Sequence, residues 1–215
     1  MKIDALRARL SLVQWLSPAF PIGAFAYSSG LETAVAEGAV GSAADLELWL
    51  DGVLRFGSGR QDAALLCAAM APGADLAGLS ALARALAPSA ERLKETDEQG
   101  EAFARTVTGA TGVDSFAAPL PVALGAAAAR LGADAQEVAA LYLQAFAGTL
   151  VSAAIRLVPL GQTEGQRVIA RLHGTILAIA AAAPGTDPTA IGSAAFGADL
   201  ASAAHETLQP RLFLT

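Results

Sequence analysis

One cysteine, two histidines and few aromatic residues stand in a chain of 215, and each shortage excludes something. Cys67 alone rules out an intrachain disulfide and suits a reducing compartment, so the cytoplasm is the expected location. It lies in the apolar run AALLCAAM, where a thiol acts as a small hydrophobe rather than a nucleophile. Neither His173 nor His205 falls at a metal-ligand spacing with cysteines or carboxylates, so no metal or other cofactor is expected. His173, within RLHGTIL, reads as a hydrogen-bonded core or boundary histidine, and the adjacent His205 and Glu206 point in different helical directions. Charged residues make up 16 % of the chain, with a net charge of −6. Lysines and arginines form no cluster that would neutralise phosphates, so nucleic acid is not an expected partner. Phosphate-binding loops, dinucleotide fingerprints and nucleophile elbows are missing, and no catalytic pair is nominated.

No charged residue stands between Leu10 and Leu31, a run long enough to raise a membrane span or a signal peptide. Positive charge precedes it, and Ala24-Phe25-Ala26 imitates a cleavage site. Asp4 and Gln14 interrupt the pattern, however, and Pro18 and Pro21 would forfeit helical hydrogen bonds in lipid. The run therefore reads as a shaped connection between a first helix and a second, and no membrane is expected. A second uncharged run, residues 138–155, carries Gln144, Thr149 and Ser152 and reads as a fully buried central helix.

Alanine and leucine dominate the 54 % hydrophobic content. Both favour helices, and no useful length alternates with period two, so the expected fold is all-α: one globular bundle of about nine or ten helices spanning residues 1–215. A mean hydropathy of +0.48 implies a large core or apolar surface covered by partners. Leu6, Leu10, Val13 and Leu16 recur at helical spacing and mark the apolar stripe of a first helix ending before Pro18. Ser29 and Glu32 have capping-box spacing, and Ser42 and Asp134 begin later helices. Leu46, Leu50, Val53 and Leu54 form one apolar face, and Leu76, Leu79, Leu82 and Leu86 another. The charged stretch ERLKETDEQGEAFAR reads as a solvated outer face.

Polar residues in apolar, locally rigid surroundings occur in three places. The first is SPAFPIGAFAYSSGLE, residues 17–32, which presents Tyr27, Ser28 and Glu32. The second is VSAAIRLVPLGQTEGQ, residues 151–166, in which Gln162 and Gln166 share a helical face. The third is the tail HETLQPRLFLT, containing His205, Glu206, Arg211 and Phe213; its apolar end suggests docking on this chain or on another.

Together, in this order, the three stretches resemble the UreF family of urease accessory proteins. The first is similar to that family's S-P-A-x-P-[VI]-G-x-[FY]-x-Y-S-x-G-[LI]-E signature, the second to its further hallmark, and the third to its C-terminal end. The sequence departs from the family pattern at Ala204, where an arginine is frequent, and at Thr149-Leu150, where an Asn-Gln pair is common. The resemblance implies an all-helical, non-enzymatic scaffold that forms homodimers and binds a UreD/UreH-type accessory protein. With that partner it engages apo-urease and recruits and regulates the GTPase UreG, which delivers nickel; nickel is then cargo rather than a resident cofactor. Tyr27, Ser28, Glu32, Gln162, Gln166, His205, Glu206, Arg211 and Phe213 become the candidate partner-binding residues. The tail and first helix are expected to meet the UreD/UreH-type partner, and Tyr27, Gln162 and Gln166 to lie near the dimer or GTPase-facing surface. The alternative is a catalytic GTPase-activating protein, with Arg156 or Arg167 as an arginine finger.

Overall fold

Short polar side chains fix where several helices begin. Ser42 accepts a hydrogen bond from the Asp45 N–H at 3.2 Å, Asp75 from Gly78 at 2.9 Å, Ser89 from Arg92 at 3.1 Å and Asp134 from Glu137 at 2.9 Å. Each satisfies a backbone donor that the first helical turn leaves open. The computed structural model describes residues 2–215, with side chains from Ile3 onward, so Met1 and the Lys2 side chain of the basic opening lie outside the described residues.

Ten α-helices follow one another: α1 (Lys2–Trp15), α2 (Leu31–Ala36), α3 (Ala43–Phe56), α4 (Ser58–Met70), α5 (Leu76–Ala85), α6 (Ala90–Thr111), α7 (Leu120–Ala129), α8 (Ala135–Leu157), α9 (Gln162–Ala182) and α10 (Phe196–His205). Three single 3-10 turns join them, at Ala24–Ala26, Ala183–Gly185 and Pro188–Ala190, and no strand occurs among the described residues. The all-α expectation therefore holds, and the boundaries fall within a few residues of those read from capping and proline signals.

Helix α4 runs through the centre, against α7 on one side and α8 on another, while α9 pairs with α8 and α3. Leu46, Leu50, Val53 and Leu54 of α3 all face inward, as their spacing requires. In α8, Val138, Ala139, Leu143, Ala147, Leu150 and Val151 are buried. Helix α8 and the stretch Gln162–Gly185 are long and apolar enough to cross a membrane, yet half of the first and 39 % of the second is buried inside this fold. Thus α8 is mainly a core helix and not buried all round. Trp15 stands edge-on to Phe103 at 5.6 Å between ring centroids, and Phe20 tilts against the same ring at 5.8 Å. Those contacts fix the N-terminal connection to the middle of α6.

Helix α6 approaches the loop before α7 at Gly100 with no room for a side chain. A Cβ there would sit 1.7 Å from the Ala118 carbonyl oxygen. Gly100→Ala gains about 1 kcal/mol of helix propensity, but backbone oxygen cannot step aside as a side chain would. The clash should win, with a net loss of about 1–3 kcal/mol. Urea unfolding checks this, and an unchanged or raised midpoint would contradict the contact.

Four sequence readings are corrected here. In α1 the stripe that turns inward is Ala8, Leu12 and Trp15, whereas Leu6, Leu10 and Val13 are exposed. Both stripes have helical spacing, and the one carrying Trp15 reaches Phe103. The charged run of α6 is not simply an outer face, because Arg92, Glu95 and Gln99 are buried. His173 is exposed on α9. Finally, Ser29 caps nothing: α2 follows Gly30, at φ 81°, and the Oγ that accepts from the Glu32 N–H is that of Ser28, at 3.2 Å. Ser29 itself has φ 52°, outside the extended geometry of a capping serine.

Candidate functional site

The tail after α10 folds back over α2 and α6. Glu32, early in α2, accepts from the Leu212 N–H at 2.7 Å and from the Phe213 N–H at 2.9 Å. A carboxylate that would otherwise serve its own helix thus stands in for a neighbouring strand and satisfies two tail amides. Beyond them, the Leu214 N–H donates to the Ala26 carbonyl at 2.8 Å, and the Ser28 N–H to the Thr215 carbonyl at 2.8 Å. Ser28 Oγ also donates to that carbonyl. The Ser29 N–H reaches Thr215 Oγ1 at 3.2 Å. An extended backbone alternates its side chains, and Phe213 and Thr215 are 2 % and 1 % exposed while Leu212 and Leu214 are 67 % and 50 % exposed.

His205, fully buried at the end of α10, bridges two carboxylates. Its Nε2 lies 3.1 Å from Glu32 and its Nδ1 2.7 Å from Glu91, and Arg211 Nη1 reaches the other Glu91 oxygen at 2.5 Å. Glu206 accepts from the Ala90 N–H at 2.9 Å, so it caps the first turn of α6. Where α10 crosses α2, a Cβ on Gly30 would meet the Ser202 backbone nitrogen at 2.7 Å; glycine supplies both this clearance and the left-handed φ. Burial pushes the Glu32 pKa up, but the Leu212 amide, His205 and the Phe213 amide outweigh it and hold the carboxyl below its ordinary 4.5.

Beneath the tail lies a second buried layer. Thr215 Oγ1 donates to Glu95 at 3.2 Å, and Gln99 donates to the same carboxylate at 3.1 Å. Arg92 joins Glu95 at 3.1 Å to Asp62 of α4 at 3.0 Å, and the Tyr142 hydroxyl of α8 donates to Asp62 at 2.6 Å. One buried guanidinium therefore serves two buried carboxylates. Burial pushes the pKa of both acids up against the pull of Arg92, and the pair in turn raises that of Arg92. Nearby, the Tyr27 hydroxyl donates to Glu98 at 2.7 Å, and burial together with that carboxylate raises its pKa.

The three stretches singled out from the sequence come together here. The first supplies Tyr27, Ser28 and Glu32, and the third His205, Arg211 and Phe213. The second contributes Arg156, whose guanidinium lies 4.6 Å from the centre of the Phe213 ring. Tyr27, Ser28, Glu32, His205 and Phe213 are buried within the chain, while Glu206 and Arg211 are exposed. Gln162 and Gln166 stand apart, exposed on the first turns of α9. Asp62, Glu91, Arg92, Glu95, Tyr142 and Thr215 were missed. A signal for two of these positions was available: Arg92 and Glu95 form one stripe at helical spacing with Gln99, Phe103 and Val107, so its polar half points the same way as its apolar half. Burial also pushes the Cys67 thiol up to about 11, which removes its nucleophilic form at neutral pH. Among the described residues no three His, Cys, Asp or Glu side chains are grouped to hold a metal ion.

The outer side of the tail is apolar: Leu212 and Leu214 project from it, and Phe25 from the turn that it pairs with. Ile3, Leu6, Leu10 and Val13 of α1 and Phe196 and Leu200 of α10 are exposed as well.

Comparison with known proteins gives one family. The UreF family model matches residues 40–173. Curated proteins described as urease accessory protein UreF are similar over nearly the whole chain. That of Cereibacter sphaeroides strain ATCC 17025 is 60 % identical over 97 % of this chain and 99 % of its own length. Those of Jannaschia sp. strain CCS1 and Roseobacter denitrificans are 53 % and 43 % identical, covering 96 % and 100 % of this chain and 94 % and 96 % of their own.

Proposed function

The chain belongs to the UreF family of urease accessory proteins, and from that premise we propose that it acts as a non-catalytic scaffold in urease maturation. In this reading a UreD/UreH-type protein binds it, the pair engages apo-urease, and the assembly recruits and regulates the GTPase UreG for nickel insertion. It works in the cytoplasm as a homodimer of one all-helical domain spanning residues 1–215. Gln162 and Gln166, exposed at the start of α9, belong to the dimer or GTPase-facing surface.

The observation that carries the partner-binding part is the alternation of the tail. Phe213 and Thr215 anchor it inward, which leaves Leu212 and Leu214 facing out beside Phe25, exposed on the turn that the tail pairs with. Apolar side chains held outward on an ordered backbone suit an interface, since the backbone entropy is already lost before binding. Five of the candidate residues then act by holding the tail in place rather than by touching the partner.

Replacing Leu212 and Leu214 together by aspartate tests this while leaving the inward anchors alone. The double variant should fold with the wild-type unfolding temperature and lose co-purification with the UreD/UreH-type protein. Undiminished co-purification would sink the assignment. Catalytic activation of the GTPase finds less support, because Arg156 lies against Phe213. Single-turnover GTP hydrolysis by UreG with and without the chain separates the two readings.

A further inference from the structure

A depression of about 310 Å³ opens where the C-terminal end of α3 and the first turn of α4 meet the last turn of α9. Phe56, Ile179 and Ala182 give it an apolar lining, and two arginines, Arg55 and Arg60, share that lining. The volume lies at the lower end of the range for small-molecule sites.

The two guanidiniums differ in how they are held. Arg55 Nε donates to both oxygens of Asp51 at 2.9 and 2.8 Å, and its Nη2 donates to Thr175 Oγ1 at 2.6 Å. Thr175, itself buried, donates to Asp51 at 2.5 Å, which closes a ring of three groups and fixes the guanidinium plane. Arg55 Nη1 has no hydrogen-bond partner among the described residues. Arg60, exposed in the first turn of α4, has no ion-pair partner among the described residues. The last turn of α9, in contrast, has its acceptors in use: Thr186 donates through Oγ1 to the Ala182 carbonyl at 2.8 Å and through its N–H to the Ala183 carbonyl at 3.1 Å. Asp51 balances the charge of Arg55, so Arg60 is the local positive excess, in a chain of net charge −6.

We propose that this depression binds an organic carboxylate carried on an apolar body, with the carboxylate between Arg55 Nη1 and Arg60 and the body against Phe56, Ile179 and Ala182. Guanidinium donors match the geometry of a carboxylate. The apolar lining distinguishes such a ligand from a bare ion. The acid is either a free small molecule or the C-terminal carboxylate of a peptide. The site is independent of the maturation reading and stands or falls on its own measurement.

The test is a titration of the isotopically labelled full-length protein, read from the methyl resonances of Ile179, Ala182 and Ala183. The probes are benzoate, acetate, benzyl alcohol, the tripeptide acetyl-Ala-Ala-Phe and its C-terminal amide. Benzoate or the free-acid tripeptide should give saturable shifts, and the tighter of the two identifies the source. Acetate, benzyl alcohol and the amide should each bind at least about tenfold more weakly, the loss expected when one charge-assisted contact or the apolar contact is removed. Arg60→Gln should weaken the bound acid by about the same factor. Ala182→Phe, which fills the depression from an exposed position, should abolish the shifts of Ile179 and Ala183 with no change in unfolding temperature. Absence of saturation with both acids, equal binding of acetate, or full affinity in Arg60→Gln would overturn the proposal.

Discussion

Arg92→Met should destabilise the protein by about 3–5 kcal/mol, the cost of removing one member of a buried ion pair. Methionine reproduces the unbranched stem as far as the ε position, so the atoms lost are those of the guanidinium head. Asp62 and Glu95, both buried, lose the only guanidinium that reaches them among the described residues. Tyr142, Gln99 and Thr215 still donate to them, but none carries positive charge. The variant's response to pH identifies the mechanism. Burial already raises the pKa of both carboxyls in the folded wild type, and without Arg92 they rise further. A group with a raised folded pKa contributes stability below its unfolded pKa, and that contribution disappears as pH rises through the folded one. The deficit of Arg92→Met against wild type should therefore shrink toward pH 4 and widen toward neutrality. Urea unfolding of both proteins across that range checks the sign. A deficit that stays constant with pH would mean that Arg92 acts through packing alone.

Glu32→Ala should release the tail. Two backbone donors, the part-buried Leu212 N–H and the buried Phe213 N–H, lose their acceptor, and His205 loses one of its two carboxylates. Each unsatisfied donor costs about 1–3 kcal/mol, so a loss of about 2–5 kcal/mol is expected unless the tail detaches and recovers hydrogen bonds to water. Hydrogen exchange separates these outcomes: the amides of Leu212, Phe213 and Leu214 should exchange far faster while those in the middle of α4 and α8 change little. Unchanged protection at Leu212 and Phe213 would refute the role given to Glu32. Its carboxyl is held below the ordinary 4.5 in the folded state, so its contribution is complete above that value and is lost as pH falls through the lower folded pKa. Asp45 and Asp51 are lowered as well and titrate in the same acid window. The difference between wild type and Glu32→Ala isolates the Glu32 share.

How much of this was visible in advance differs between fold and site. Helix positions were legible because their determinants are local: Ser42 and Asp134 cap within three residues, and Pro18, Pro88 and Pro159 stop what precedes them. The face that α1 turns inward was not, because two stripes of equal spacing compete and a partner 88 residues away, Phe103, decides between them. Glu32 looked like the second half of a capping box for the same reason: its spacing to Ser29 is local information, while the amides of Leu212 and Phe213 that claim it lie 180 and 181 residues further on. The charged part of α6 was misread by composition, since a run dense in acids and bases resembles a solvated surface unless its registry with Phe103 and Val107 is followed.

The closing of Glu32 and Ser28 onto Phe213 and Thr215 also bears on the order of synthesis. Ser28 meets a carbonyl 187 positions later, so the groove between α2 and α6 is translated well before the segment that covers it. During that interval Glu32 and Glu95 lack part of their cover, and the nascent chain is a substrate for holding chaperones and proteases. A product truncated before Leu212 would keep most of its helices and still fail inspection by the degradation machinery, because the last few residues complete the burial of its most costly charges.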